Sequence, residues 1–254
     1  MTITLLISFL ISVIVFHICA IQRYKMSAVI SKGIASALFV CIGAWMLYHN
    51  VTAHFLNEVS FLLIGNIYSK YYIYIFIGLI CGFVGDILLA LRNLFIAKRK
   101  QFIASGMIAF GLGHLAYSVA PTLLLFDISP VWILVPCLSA VMVVPLILKL
   151  SPRLGMELGK FTLPAILYGG IILFLLVSIL LNCIFLAQQD NASIITWAPI
   201  IPVLLFTISD FMLSTNYFDK DQKPMSVSQI IIIHVTYYLA QLLFALGFTL
   251  SNSL

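Results

Sequence analysis

The sequence predicts an all-α, polytopic integral membrane protein, a single domain over residues 1–254 built as a bundle of eight transmembrane helices. Three observations predict it. Hydrophobic residues make up 63% of the chain and charged residues 8%, against about 25% charged in an ordinary soluble domain. A chain of 254 residues cannot hide that much apolar side chain in one core. Eight separate apolar runs approach the roughly 20 residues that a bilayer core demands of a helix. Twelve of the thirteen Lys and Arg residues fall between those runs on one side only, the bias that marks a cytoplasmic face.

The elements follow in order. Helix 1 is expected at about 2–21, ITLLISFLISVIVFHICAI. No basic residue precedes it and no small-x-small cleavage site follows, so it reads as a retained helix rather than a leader. Helix 2, about 32–48, is opened by Lys32 and carries Trp45 near its end. The connection 49–70 contains FLNEVSFLLI, whose apolar part is too short to span and reads as interfacial. Helix 3, about 71–91, places Gly78, Gly82 and Asp86 four apart on one face, and small residues there let a neighbouring backbone approach. Helix 4, about 101–120, carries GHLAY, with His114 and Tyr117 on one face.

Helix 5, about 131–149, begins near Trp132 and is expected to bend at Pro136 and Pro145. Helix 6, about 161–187, follows Lys160 and holds Tyr168 and Asn182. Helix 7, about 194–215, holds FTISDFMLSTNYF with Asp210, and Pro199 and Pro202 are expected to bend its start. Helix 8, about 226–248, carries HVTYYLAQ, with His234, Tyr237 or Tyr238, and Gln241 on one face.

Charge sets the direction. Arg23, Lys25 and Lys32 follow helix 1; Arg92, Lys98, Arg99 and Lys100 follow helix 3; Lys149, Arg153 and Lys160 follow helix 5; Lys220 and Lys223 follow helix 7. Lys70 alone lies opposite. Both termini are then expected outside the cytoplasm. The formal charge of +5 follows from this pattern and from anionic lipid, and gives no basis for a nucleic-acid groove. The five cysteines stand singly with no CxxC, so neither a zinc site nor a disulfide framework is indicated.

The two halves echo each other. Asp86 and Asp210 sit near the cytoplasmic ends of helices 3 and 7, GHLAY in helix 4 meets HVTYYLAQ in helix 8, and Lys32 and Lys160 open helices 2 and 6. This admits two parallel four-helix repeats. Of eight acidic residues, Glu58, Asp127, Glu157, Asp190, Asp219 and Asp221 fall in loops, and only Asp86 and Asp210 fall within spans. A carboxylate at mid-helix costs about 2.5–3.5 kcal/mol on insertion scales, so both need a protein-lined polar cavity. Gly85 and Ser209 beside them are expected to keep that space open. The bland alternative is a packing groove with helix-to-helix hydrogen bonds, each worth about 0.6–2 kcal/mol. No HExxH, HxH, GxSxG or glycine-rich phosphate loop occurs, which argues against a zincin, an acyl-serine lipase or a nucleotide enzyme.

These residues together resemble the lysoplasmalogenase-like membrane family, which includes bacterial YhhN and the vertebrate transmembrane 86 proteins. The likeness lies in GFVGDILLAL around Asp86, FGLGHLAYSVA around His114 and Tyr117, LFTISDFMLSTNYF around Asp210 and HVTYYLAQLLFALG around Tyr237 and Gln241, with Lys32 and Tyr168 at matching places. It departs where the family usually has Lys-Pro and this chain has Lys32-Gly33, and where the family often has Ala-His and this chain has Gly113-His114.

The resemblance implies eight helices and hydrolysis of the vinyl ether of lysoplasmalogen-like lysophospholipids, with Asp86 and Asp210 as the catalytic pair. Lys32, His114, Tyr117, Tyr168, Ser209, Tyr237 and Gln241 are then expected to line the substrate site, Lys32 at the rim beside a lipid phosphate. Bilayer lipid and the lysophospholipid are the partners, and no cofactor or metal is needed. Two buried carboxylates and an internal repeat also suit a proton-coupled transporter of a small solute or lipid, which is the alternative.

Overall fold

The computed structural model describes residues 2–56, 64–126, 130–189, 197–221 and 223–246. Eight long helices follow one another: α1 (Thr2–Ile21), α2 (Lys25–Leu56), α3 (Ile64–Leu91), α4 (Arg99–Phe126), α5 (Val131–Leu150), α6 (Thr162–Gln189), α7 (Ile200–Tyr217) and α8 (Val227–Ala245). Each is long and apolar enough to cross a bilayer, and no strand occurs among the described residues. The protein is a polytopic helical membrane protein. Its outer surface fits lipid: Val141 and Met142 of α5 are 71% and 70% exposed.

Helix 2 departs most from expectation, because it starts at Lys25 and not at Lys32. The cause is the turn before it. Arg23 takes a left-handed conformation (φ 61°), Tyr24 N donates to Cys19 O at 2.9 Å and Arg23 N to Ala20 O at 3.2 Å. This pair of bonds closes a helix C-terminus, normally around Gly, so an arginine there left no sequence signal. The chain re-enters a helix at once, and Lys32 lies two turns inside.

The 49–70 connection also contracts, since α2 runs to Leu56 and α3 begins at Ile64. Residues 57–63, with Glu58, lie outside the described residues, as do Asp127, Asp190, 194–196, 247–248 and the side chains of Tyr68, Lys70 and Tyr71. Pro199 is the N-cap of α7 and Pro202 sits in its first turn, where a missing N–H costs little. These prolines start the helix rather than bend it. Pro136 and Pro145 lie within a continuous α5. A capping box begins α8: Gln229 N donates to Ser226 Oγ and Ser226 N to Gln229 Oε1.

Consecutive helices pack within each half, and the halves join through α2 against α8 and α4 against α6. Exchanging the halves maps each of these junctions onto the other, as a parallel repeat requires. α3 packs tightly on α4, where a methyl built on Gly113 would meet Gly78 O at 3.1 Å. At the basic end an antiparallel bridge ties the α5–α6 loop to the α7–α8 loop, through Glu157 N to Phe218 O (2.7 Å) and Lys220 N to Gly155 O (3.0 Å).

Candidate active site

Asp86 lies one turn from the end of α3 and is 1% exposed. Every partner it has is a donor. Lys32 Nζ of α2 is 2.9 Å from Oδ1. Oδ2 accepts from Ser36 Oγ at 2.5 Å and from Tyr237 OH of α8 at 2.7 Å. Behind Tyr237 the chain of bonds continues: Gln241 Nε2 donates to Tyr237 OH (3.1 Å), and Tyr117 OH of α4 donates to Gln241 Oε1 (2.8 Å). The glycine face of α3 makes this network possible. A methyl on Gly82 would sit 2.4 Å from Gln241 Nε2, and one on Gly78 would sit 2.2 Å from the Tyr117 ring. The groove receives these polar side chains as well as the α4 backbone at Gly113.

Asp210 of α7 has a different shell. Tyr168 OH of α6 donates to Oδ2 at 2.8 Å, and His114 Nε2 of α4 lies 3.1 Å from the same oxygen and 3.2 Å from Tyr168 OH. Both oxygens offer lone pairs to Nε2, so Nε2 carries the hydrogen. Among the described residues His114 Nδ1 is buried without a partner. Asp210 Oδ1 takes no hydrogen bond among the described residues, and the side chain is 10% exposed. The Phe206 ring packs against both clusters, with centroids 5.0 Å from His114 and 5.7 Å from Tyr237.

The clusters are also related by the repeat. Each aspartate stands on the third helix of its half. Each is held by the second helix of its own half and the fourth helix of the other: Lys32 and Tyr237 for Asp86, Tyr168 and His114 for Asp210. Lys32 lies seven residues after the Lys25 start of α2, and Tyr168 six after the Thr162 start of α6. Tyr168, not Lys160, is thus the counterpart of Lys32, which revises the expected register.

Both aspartates border one cavity of about 1300 Å³ that reaches the basic end of the bundle. Its apolar wall includes Phe16, Leu89, Ile103, Phe110, Leu213 and Ile233. On the exposed α7–α8 loop Lys223 Nζ bonds Asp221 Oδ2 at 2.7 Å. That hydrogen bond and the Lys223 charge hold Asp221 below its usual range and raise Lys223.

Several expected site residues move in meaning. Lys32 is not at the rim, but is the buried counter-ion of Asp86. Ser209 does not hold space open, since its hydroxyl is committed to Ile233 O at 2.9 Å and clips α7 to α8. Gly85 is covered by the Phe110 ring, 2.7 Å from a methyl built there. The His17 ring lies 6.0 Å from that of His234. Ser36 was missed. Its one signal is its place one turn after Lys32, which means nothing until Lys32 is known to face inward. Among the described residues no three His, Cys, Asp or Glu side chains converge as a metal site would require.

Fold and site define an eight-helix membrane protein with two buried carboxylates on one cavity. The chain belongs to the YhhN family, whose model matches residues 58–248, a family that includes lysoplasmalogenases. No curated protein and no solved structure matches it.

Proposed function

We propose that the protein hydrolyses the vinyl ether bond of a lysoplasmalogen-like lysophospholipid, releasing a fatty aldehyde and a glycerophospho-alcohol. The observation that carries this reading is the difference between two carboxylates on one cavity: Asp86 is fully engaged by donors, whereas Asp210 has a free oxygen and a histidine at hand.

A vinyl ether resists base and yields to acid, so the slow step is proton transfer to its β-carbon. Asp210, paired with His114, is the proposed proton donor. Transfer leaves an oxocarbenium ion on the ether side. The Asp86 carboxylate, fixed by Lys32, Ser36 and Tyr237, is the negative charge that stabilises it, as a carboxylate does in glycosidases. Water then adds to the cationic carbon and returns a proton to Asp210. The hemiacetal collapses to aldehyde and alcohol, and one water is consumed overall. Lys32 supplies the counter-charge of Asp86, so the two aspartates need not share a proton. The fatty chain lies along the apolar wall of Phe16, Leu89, Phe110 and Ile233.

By the basic bias the cavity opens to the cytoplasm of a bacterial inner membrane and both termini lie outside. Purified protein in detergent, given a lyso vinyl-ether phospholipid, is expected to release aldehyde in proportion to enzyme. Solute-dependent proton flux in liposomes, without product, would favour a transporter instead.

A further inference from the structure

Arg92 has no assigned part in this chemistry, and its surroundings are unusual. It follows the last residue of α3 and lines the same cavity as both aspartates. Its guanidinium Cζ lies 3.8 Å from the centroid of the Tyr217 ring, so the tyrosine face holds the planar fork in one orientation. Nε makes only a long contact, 3.5 Å, to Asn93 Oδ1. Among the described residues Nη1 is buried without a partner. Among the described residues none of the ion pairs includes Arg92.

Burial first, and the charge of Arg99 second, push the Arg92 guanidinium down to about 9, as befits a cation lacking its counter-ion. Nine basic and four acidic side chains line the cavity, and two of those acids, Asp86 and Asp210, are already engaged by Lys32 and His114. A buried charge without compensation is strongly unfavourable, so the site is complete only with an anion present.

We propose that Arg92, held over the Tyr217 ring, is the receptor for the phosphodiester of the substrate's headgroup. A guanidinium fork meets two phosphate oxygens with two parallel N–H bonds, which an ammonium cannot do. Arg92 stands six positions after Asp86, about 9 Å along a helix axis, and both side chains line the same cavity. The assignment rests on the proposed substrate class, and it moves the phosphate from Lys32, whose charge Asp86 already uses, to Arg92.

The test measures binding without turnover. A saturated 1-O-alkyl lysophosphatidylcholine, which has no vinyl ether to cleave, is titrated against purified protein beside the matching 1-O-alkylglycerol, which lacks the phosphate. The wild type is expected to bind the phospholipid at least about tenfold more tightly. R92Q should bring the two within about twofold while the alkylglycerol affinity holds, and R92K should keep only part of the preference.

Inorganic phosphate at millimolar concentration should not displace the phospholipid. An Arg92-dependent displacement would assign the site to a free anion and overturn the headgroup reading. Equal binding of both lipids by the wild type, or full discrimination by R92Q, overturns the proposal as well. Should R92Q fail to melt as a folded protein, the wild-type lipid pair and R92K still decide. Neither lipid is turned over, so lost discrimination counts against Arg92 alone. Absent aldehyde release with discrimination intact counts against the hydrolase alone.

Discussion

Substituting Lys32 with Met isolates the electrostatics of the buried pair. Lys32 Nζ sits 2.9 Å from Asp86 Oδ1, with the two side chains 11% and 1% exposed. Removing one member of a buried ion pair typically costs about 3–5 kcal/mol, because the remaining charge loses its compensation. Ser36 and Tyr237 still donate to Asp86, so the lower end, about 3 kcal/mol, is expected for K32M.

D86N leaves a lysine that borders the cavity and is partly hydrated, and should cost about 2 kcal/mol. The double variant K32M/D86N carries no unpaired charge, and Asn keeps the bonds from Ser36 and Tyr237. It should therefore be no worse than D86N, giving a coupling of about 3 kcal/mol. Equilibrium unfolding in mixed micelles with increasing SDS measures all four proteins. Additivity within about 0.5 kcal/mol would refute the buried pair. Turnover bears on the same point: K32M should lower kcat, whereas a rise in KM alone would return Lys32 to the rim.

Gly78→Ala should destabilise by at least about 1–3 kcal/mol through overpacking, because the Tyr117 ring it would strike is stacked on Phe244 at 4.1 Å. Gly170→Ala, with nothing within 4 Å, should be neutral or slightly stabilising, and the same unfolding assay compares them. Ser226→Ala should cost about 1 kcal/mol by loss of the capping box, seen as a lowered unfolding midpoint. Single-cysteine labelling in intact cells should find position 98 unreactive from outside and reactive after permeabilisation; external reactivity would reverse the orientation.

The eight spans and the two aspartates were legible because each rests on a one-dimensional signal. Apolar length marks a helix, and a carboxylate inside such a run stands out by its cost. What the sequence hid was three-dimensional. The left-handed turn at Arg23 carries no glycine, so the sequence points to a start of α2 seven residues late and to Lys32 at the rim. Once α2 begins at Lys25, Lys32 and Ser36 fall one turn apart facing Asp86, and a lipid ligand becomes a counter-ion. The exchange between halves was equally hidden. His114 serves the aspartate of the second half and Tyr237 that of the first, and spacing along one helix cannot reveal which neighbour a side chain reaches. Arg92 looked like one more interfacial cation until its stacking on Tyr217 and its unpartnered Nη1 were seen.

The central claim is that two unlike carboxylates act on one substrate, and aldehyde release by purified D86N, D210N and D86N/D210N tests it most directly. Asn keeps the size of Asp and removes both the proton and the charge. General acid–base catalysis is typically worth 10²–10⁴-fold, so each single variant should lose at least about a hundredfold in kcat while still melting as a folded protein. The double variant should be little worse than the worse single, because groups that act as one unit are not additive. Wild-type rates in both folded single variants would contradict the account, whatever the family of the chain.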